Sequence, residues 1–119
     1  MEKAKKVLIV EDEDIVRVMV KRFLEGLPLE VELAEDGTAG LEKVLQGGFD
    51  LVITDYQMPG LNGEAFMMEV RQHFPALPFI MISAHFGEDI DGRGDFAFLK
   101  KPFRSMELRQ LVGCILDFE

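Results

Sequence analysis

Five polar groups stand where apolar runs of this sequence stop. Glu11 and Asp12 follow VLIV (7–10), Asp55 follows LVIT (51–54), Ser83 ends FIMIS (79–83), and Lys101 comes shortly after FAFL (96–99). Three carboxylates gathered within a few ångströms cannot all stay ionised unaided. A hard divalent cation, Mg2+ or Mn2+, suits them, because such an ion takes oxygen ligands and is commonly shared between one or two carboxylates, waters and phosphate oxygens. A carboxylate facing that ion can also attack phosphorus, while the metal and a lysine absorb the charge that develops on the transferring oxygens. Phosphoryl transfer to an aspartate is the reaction class that uses all five groups.

The elements that must bring these groups together are legible in the apolar pattern. VLIV, LVIT and FIMIS are short, continuous and β-rich, as in strands covered on both faces. Between them Ile15, Val16, Met19, Val20, Phe23, Leu24 and Leu27 keep helical spacing, as do Phe66, Met67, Val70 and Phe74. Gly26 and Pro28 end the first of these helices and Pro75 the second. EVELAED (30–36) reads as a strand closing in an Asp36-Gly37 turn, and TAGLEKVLQGG (38–48) as a helix opened by Thr38 and closed by Gly47 and Gly48. FAFL supplies a fifth strand. Ser105 is positioned to cap a last helix carrying Met106, Leu108, Leu111, Val112, Ile115 and Leu116.

Strands alternating with helices predict an α/β fold: a doubly wound, five-stranded parallel sheet of the flavodoxin-like (βα)5 kind, with right-handed crossovers. Ligands of such sheets bind beyond the carboxyl ends of the strands, near the point where strand order reverses. All five polar groups fall at that edge. One segment breaks the rhythm: HFGEDIDGRGDFA (85–97) lies where a fourth helix is due, yet Ile90 is its one aliphatic branched residue. It predicts a loop or at most one helical turn, so that the fourth helix is short or missing.

Composition bounds the partners. With 119 residues, 48% apolar and 29% charged, the chain is sized and balanced for one globular domain. Its formal charge of −9 argues against a broad nucleic-acid footprint, which draws on clustered Lys and Arg. Cys114, the single cysteine, cannot form an internal disulfide; its apolar surroundings predict a small core residue in a reducing compartment. MEKAKK leads into only four strongly apolar residues, and no run approaches the ~20 that a membrane span needs. A cytoplasmic protein without membrane contact is the expectation.

From VLIVEDED through LVITDYQMPGLNG and FIMISAH to FAFLKKPF, four separated motifs agree in order and spacing, and together the chain resembles the receiver domain of bacterial two-component response regulators. The resemblance covers essentially the whole chain, 1–119, as a single receiver domain with no effector domain. It implies that Asp55 is the phospho-acceptor, that Asp12 is a direct Mg2+ ligand with Glu11 beside it, and that the Gln57 backbone carbonyl is a third protein ligand. Lys101 then reaches the phosphoryl oxygens, next to a cis Lys101-Pro102 bond. Proline lowers the cost of cis to about 0.5–1 kcal/mol. Ser83 takes the switch-hydroxyl position and Phe98 the switch-aromatic position, where a phenylalanine lacks the hydroxyl of the frequent tyrosine. The Gln57 side chain and His85 stand at the rim, where the family tunes hydrolysis of the phospho-aspartate; a plain solvent-facing role for His85 stays open.

The implied partners are a sensor histidine kinase or phosphotransfer protein as donor and an unknown effector. The domain would catalyse only its own phosphorylation and slow dephosphorylation. A dimer through the fourth-helix face is not expected, given FGEDIDGRGD there. Glu13 and Asp14 read as acids of a first helical turn, favoured by the helix dipole, and Gly60 and Gly63 as backbone geometry after Asp55. Met58, Met67, Met68 and Met81 read as packing residues.

Three other readings compete. Asp12-x-Asp14-x-Val16 partly matches haloacid dehalogenase-like phosphohydrolases, but Glu11 intervenes after the strand, no acidic pair follows Lys101, and ~119 residues leave no room for a cap. A degenerate receiver that binds a partner without phosphorylation would not need the intact set of Glu11, Asp12, Asp55, Ser83 and Lys101. A flavodoxin-like cofactor binder would need a phosphate loop after the first strand, where the acids repel phosphate.

Overall fold

A computed structural model describes residues 4–84 and 96–117 of the chain. The elements run β1 (Lys5–Val10), α1 (Asp14–Phe23), β2 (Leu29–Ala34), α2 (Gly37–Leu45), β3 (Leu51–Asp55), α3 (Gly63–Arg71), β4 (Phe79–Ser83), β5 (Ala97–Lys100) and α4 (Ser105–Leu116). All strand pairs are parallel, in the order β2-β1-β3-β4-β5. The segment in which a short or missing helix is expected, 86–95, lies outside the described residues, as does His85. What that segment implies for dimerisation lies there too.

Alternation along the strands divides the core in two. Val7, Ile9, Leu51, Ile53, Ile80, Ile82 and Leu99 face one side, where α1 contributes Val20 and Leu24 and α4 contributes Leu108, Val112 and Leu116. Leu8, Val10, Val52, Phe79 and Met81 face the other, against Val44 of α2 and Phe66, Met67 and Val70 of α3. That segregation follows from right-handed crossovers: α1 carries the chain from β1 to one neighbour, while α2 and α3 carry it back across the opposite face. Both faces being covered explains why the central strands read as unbroken apolar runs. The edge strand β2 alternates instead, and its Glu32 pairs with Lys6 at 3.1 Å and Lys43 at 3.5 Å.

Local chemistry fixes the helix starts. Asp36, not Thr38, caps α2: its carboxylate accepts the Ala39 N–H at 2.8 Å. Asn62 caps α3 through the Ala65 N–H at 2.9 Å. Ser105 is the first residue of α4 rather than its cap; Arg104 holds the cap position, and its N–H donates to the Glu107 carboxylate at 2.9 Å. The two helices of the first face are tied together by Arg109, which donates to the Phe23 and Glu25 carbonyls at 3.1 and 2.6 Å, and by an edge-on Phe23–Phe103 pair.

Some side chains that keep helical spacing nevertheless point outward. Ile15 is 84% exposed and Met106 61%; Met106 sits two residues before Leu108, about 200° round the helix from it. Met68 is exposed beside buried Met67, so it does not pack in the core. Cys114 is exposed as well, correcting its reading as a core residue. It sits two residues from Val112, about 200° round the helix from the line of Leu108, Val112 and Leu116.

Gly63 sets the approach of α3 to β3. A Cβ there would lie 2.9 Å from the Tyr56 Cα and closer still to the Asp55 carbonyl oxygen, while its N–H donates to the Tyr56 carbonyl at 2.7 Å. Backbone atoms cannot yield as a side chain can. Gly63→Ala is therefore expected to cost about 1–3 kcal/mol by overpacking. Gly113→Ala, inside α4 with nothing within 4 Å of the added carbon, should gain about 0.5–1 kcal/mol. Urea unfolding of the two variants checks the contrast, and shifts of the same sign would refute it.

Candidate functional site

The register brings the polar ends level. Val10 pairs with Thr54, so Glu11 and Asp55 each stand one step further along adjacent strands. Asp55 pairs with Ile82, and Ser83 with Lys100. Lys101 is then held across the β4–β5 edge, its N–H donating to the Ser83 carbonyl at 2.8 Å. The Lys101-Pro102 peptide that follows is cis.

Carboxylate oxygens of Glu11, Asp12 and Asp55 all lie within 4.8 Å of one another. Glu11 is 2% exposed, Asp55 6% and Ser83 1%, whereas Asp12 is half-buried at the mouth. The Lys101 ammonium stands 3.5 Å from Asp55 Oδ1 and 3.6 Å from Glu11 Oε1. Lys101 thus pairs with two of the three acids. Glu11 Oε2 also accepts the Glu13 N–H at 3.1 Å.

Burial raises the Glu11 pKa to about 7, helped by the neighbouring Asp55 charge and opposed by the Glu13 N–H and Lys101. Burial likewise raises Asp55, with Asp12 adding to it and Lys101 acting against it. Both shifts come chiefly from burial of the carboxylates. An all-oxygen set of this density fits a hard divalent cation rather than a soft one.

Of the other residues singled out in the sequence, Gln57 is exposed two residues beyond Asp55, and Phe98 lies on β5 opposite Met81, its ring 6.3 Å from that of Phe96. Lys100 is exposed. Glu13 takes the cap position of α1 and Asp14 its first turn. The side chain of Asp14 is 84% exposed and pairs with Arg17, so Asp12 and Asp14 do not converge as a dehalogenase-like pair would. Two contributors were not singled out. The Thr54 hydroxyl, fully buried in β3, donates to the Asp55 carbonyl at 3.0 Å, and the Arg17 guanidinium donates to the Glu11 carbonyl at 2.8 Å. A hydroxyl inside an apolar strand and a cation in the first turn of a helix were the available signals.

A doubly wound parallel sheet with clustered acids and a lysine at the carboxyl ends of its strands defines a class of α/β domains whose site lies at the strand ends. Within that class, residues 7–113 match the model of the response regulator receiver domain, and the chain belongs to that family. It is similar to the DNA-binding transcriptional regulator NtrC of Escherichia coli K12, 33% identical over 112 residues, which are 89% of this chain and 24% of that protein. It is also similar to the sensor kinase CckA of Brucella abortus, 34% identical over 117 residues, 93% of this chain and 12% of that protein. The chain therefore spans a quarter or less of these two relatives. Among solved structures, the chemotaxis protein CheY4 of Vibrio cholerae superposes with a TM-score of 0.86 at 30% identity, covering 93% of this chain and 98% of that one. The receiver domain of the hybrid histidine kinase CckA does so at 0.81 and 32%, covering 93% and 98%. This chain is accordingly a receiver, a signalling domain of two-component systems. No helix of the described residues is long and apolar enough to cross a membrane.

The raised Glu11 pKa has a testable sign. Unfolded Glu titrates near 4.5, so between that value and about 7 the folded protein holds the extra proton. Its contribution to stability is full below pH 4.5 and is lost as pH rises through 7. In EDTA, unfolding free energy is expected to fall by about 1–3 kcal/mol more for the unsubstituted protein than for Glu11→Gln between pH 5 and 8. Parallel urea-midpoint profiles would overturn this.

Proposed function

We propose that the chain is a phospho-acceptor receiver in which Asp55 takes a phosphoryl group from a sensor histidine kinase, a phosphotransfer protein or a small donor such as acetyl phosphate. The observation that carries this reading is the placement of the Lys101 ammonium 3.5 Å from Asp55 Oδ1, with the Glu11 and Asp12 carboxylates alongside. Asp55 presents one oxygen to phosphorus, and an oxygen–phosphorus bond forms as the bond to the donor's imidazole nitrogen or acetate oxygen breaks. The Lys101 ammonium and the Ser83 hydroxyl bind the phosphoryl oxygens as they gain charge. Glu11, Asp12, Asp55 and the Gln57 carbonyl are the groups to hold Mg2+, or Mn2+. When bound, the ion neutralises the acids and withdraws charge from the transferring phosphoryl group.

Occupancy of Asp55 would shift the population between two states of the domain. Phe98 is the side chain proposed to move, and an effector reads the change. Slow hydrolysis, tuned from the rim by Gln57 and His85, resets it. On this reading the chain is one receiver unit, catalytic only towards its own aspartate. It acts in the cytoplasm without direct contact with nucleic acid or membrane. The face beside β5 is not proposed as a dimer interface.

Intact-mass spectrometry after incubation with acetyl phosphate and Mg2+ is expected to give one phosphoryl adduct, absent from Asp55→Asn and from samples in EDTA. No adduct, or an adduct that survives Asp55→Asn, overturns the assignment. Mg2+ should in addition stabilise the fold, by about 2.7 kcal/mol at one hundred times its dissociation constant. Asp12→Ala is expected to remove most of that gain in thermal melts, and full retention of it would count against Asp12 as a ligand.

A further inference from the structure

We infer that Arg17 is a positioning residue for the metal-facing carboxylates: its guanidinium holds the peptide that joins Glu11 to Asp12. This role rests on the phospho-acceptor reading and extends it to a residue outside the acid cluster. Arg17 is the fourth residue of α1, in the first turn of the helix, where the helix dipole disfavours a cation. Its side chain is only 15% exposed. Instead of extending into solvent it folds back six residues, and Nη1 donates to the Glu11 carbonyl at 2.8 Å while Nη2 bonds the Asp14 carboxylate.

The bond matters because of which peptide it holds. The Glu11 carbonyl and the Asp12 N–H share one rigid plane. On one side of that plane the Glu11 N–H is already fixed to the end of β2, donating to the Ala34 carbonyl at 3.1 Å. On the other side the Glu11 carboxylate accepts the Glu13 N–H at 3.1 Å. Arg17 supplies the third tie. With it the plane cannot rotate, and the direction in which Asp12 leaves the backbone is set before any ligand arrives. Without it, Asp12 hangs from a junction that has left the sheet and not yet entered the helix. The Glu11 carbonyl would also lose its partner in a residue that is 2% exposed. Asp14 braces the guanidinium from the helix side, so the paired geometry of the fork is used and a lysine cannot reproduce it.

The two effects of Arg17 on a bound cation have opposite signs, which makes the role separable. As a charge it repels the cation, so its removal alone tightens binding. As a positioning group it organises the ligands, so its removal weakens binding. Mg2+ affinity is measured by titration calorimetry well below the unfolding temperature of each variant, with urea unfolding in EDTA reporting stability separately. Arg17→Met is expected to weaken Mg2+ binding by about 10-fold, and Arg17→Lys to restore no more than part of it. Unchanged or tighter binding in Arg17→Met overturns the inference, as does full affinity in Arg17→Lys, where the charge is kept and the fork is lost. If Arg17→Met shows no cooperative unfolding, Arg17→Lys alone decides: at least 3-fold weaker binding supports the role and a smaller change overturns it. Failure of the unsubstituted protein to bind Mg2+ is a different outcome, which overturns the metal reading and this role with it.

Discussion

The structure turns on an electrostatic imbalance: three carboxylates share a space 4.8 Å across, and among the described residues the Lys101 ammonium pairs with only two of them. Burial makes this costly, because ionised groups lose hydration that a single lysine does not replace. A chain left to itself would relax such a cluster by letting the acids swing outward. Glu11 and Asp55 cannot, since Glu11 directly follows the buried stretch Val7–Val10 that ends β1, and Asp55 is the last residue of β3, which is buried along its whole length. The cluster is therefore a property of the sheet register as much as of the side chains.

That register is supported from three directions. The β3 terminus is pinned by the Thr54 hydroxyl on the Asp55 carbonyl and by the close approach of Gly63 behind it. The β1 terminus is pinned at Glu11 by β2, by Glu13 and by Arg17. The β4 terminus is tied to Lys101 through the Ser83 carbonyl. Each tie involves backbone, so the side chains that face the acid cluster begin from fixed points. Preorganisation of this kind lets a site hold unfavourable charge in readiness for a cation or a phosphoryl group, instead of assembling only after one arrives.

The sheet and the strand-end acids were legible in the sequence because they share one cause. Strands covered on both faces must be apolar throughout, and a strand stops where polarity begins; Glu11, Asp55 and Ser83 mark those stops. The helix surfaces were less legible. The apolar runs placed Ile15 and Met106 with the core, but periodicity does not say how wide an arc the sheet covers, and Met106, two residues before Leu108, falls on the far side of its helix. Cys114 was misread through its apolar neighbours, although its angle from Val112 turns it to solvent. Asp36 and Thr38 are both good capping types two residues apart, and only backbone geometry selects between them. Arg17 left the faintest trace, because a side chain bonding a carbonyl six residues back has neither a periodic nor a motif signature. Its one mark was a charge at the wrong end of a helix dipole.

Under the phospho-acceptor reading, a new charge at Asp55 has two short routes to β5. One runs through the Lys101 ammonium, which would be drawn towards the phosphoryl oxygens. The other runs through Ser83, whose hydroxyl would bind the phosphoryl oxygens and whose carbonyl already holds the Lys101 N–H. Both routes end on the strand that carries Phe98. A phenylalanine there offers no hydroxyl, so its alternative positions differ in packing against Phe96 and the second core cluster, not in a hydrogen bond made or broken. Apolar packing is non-directional and adds up over many small contacts. A partner would then read the shape and apolar area of the β5 face, whereas a tyrosine-bearing relative could also be read through a polar group. On that reading the all-carbon ring would set the kind of surface that can be switched, and the acid cluster what switches it.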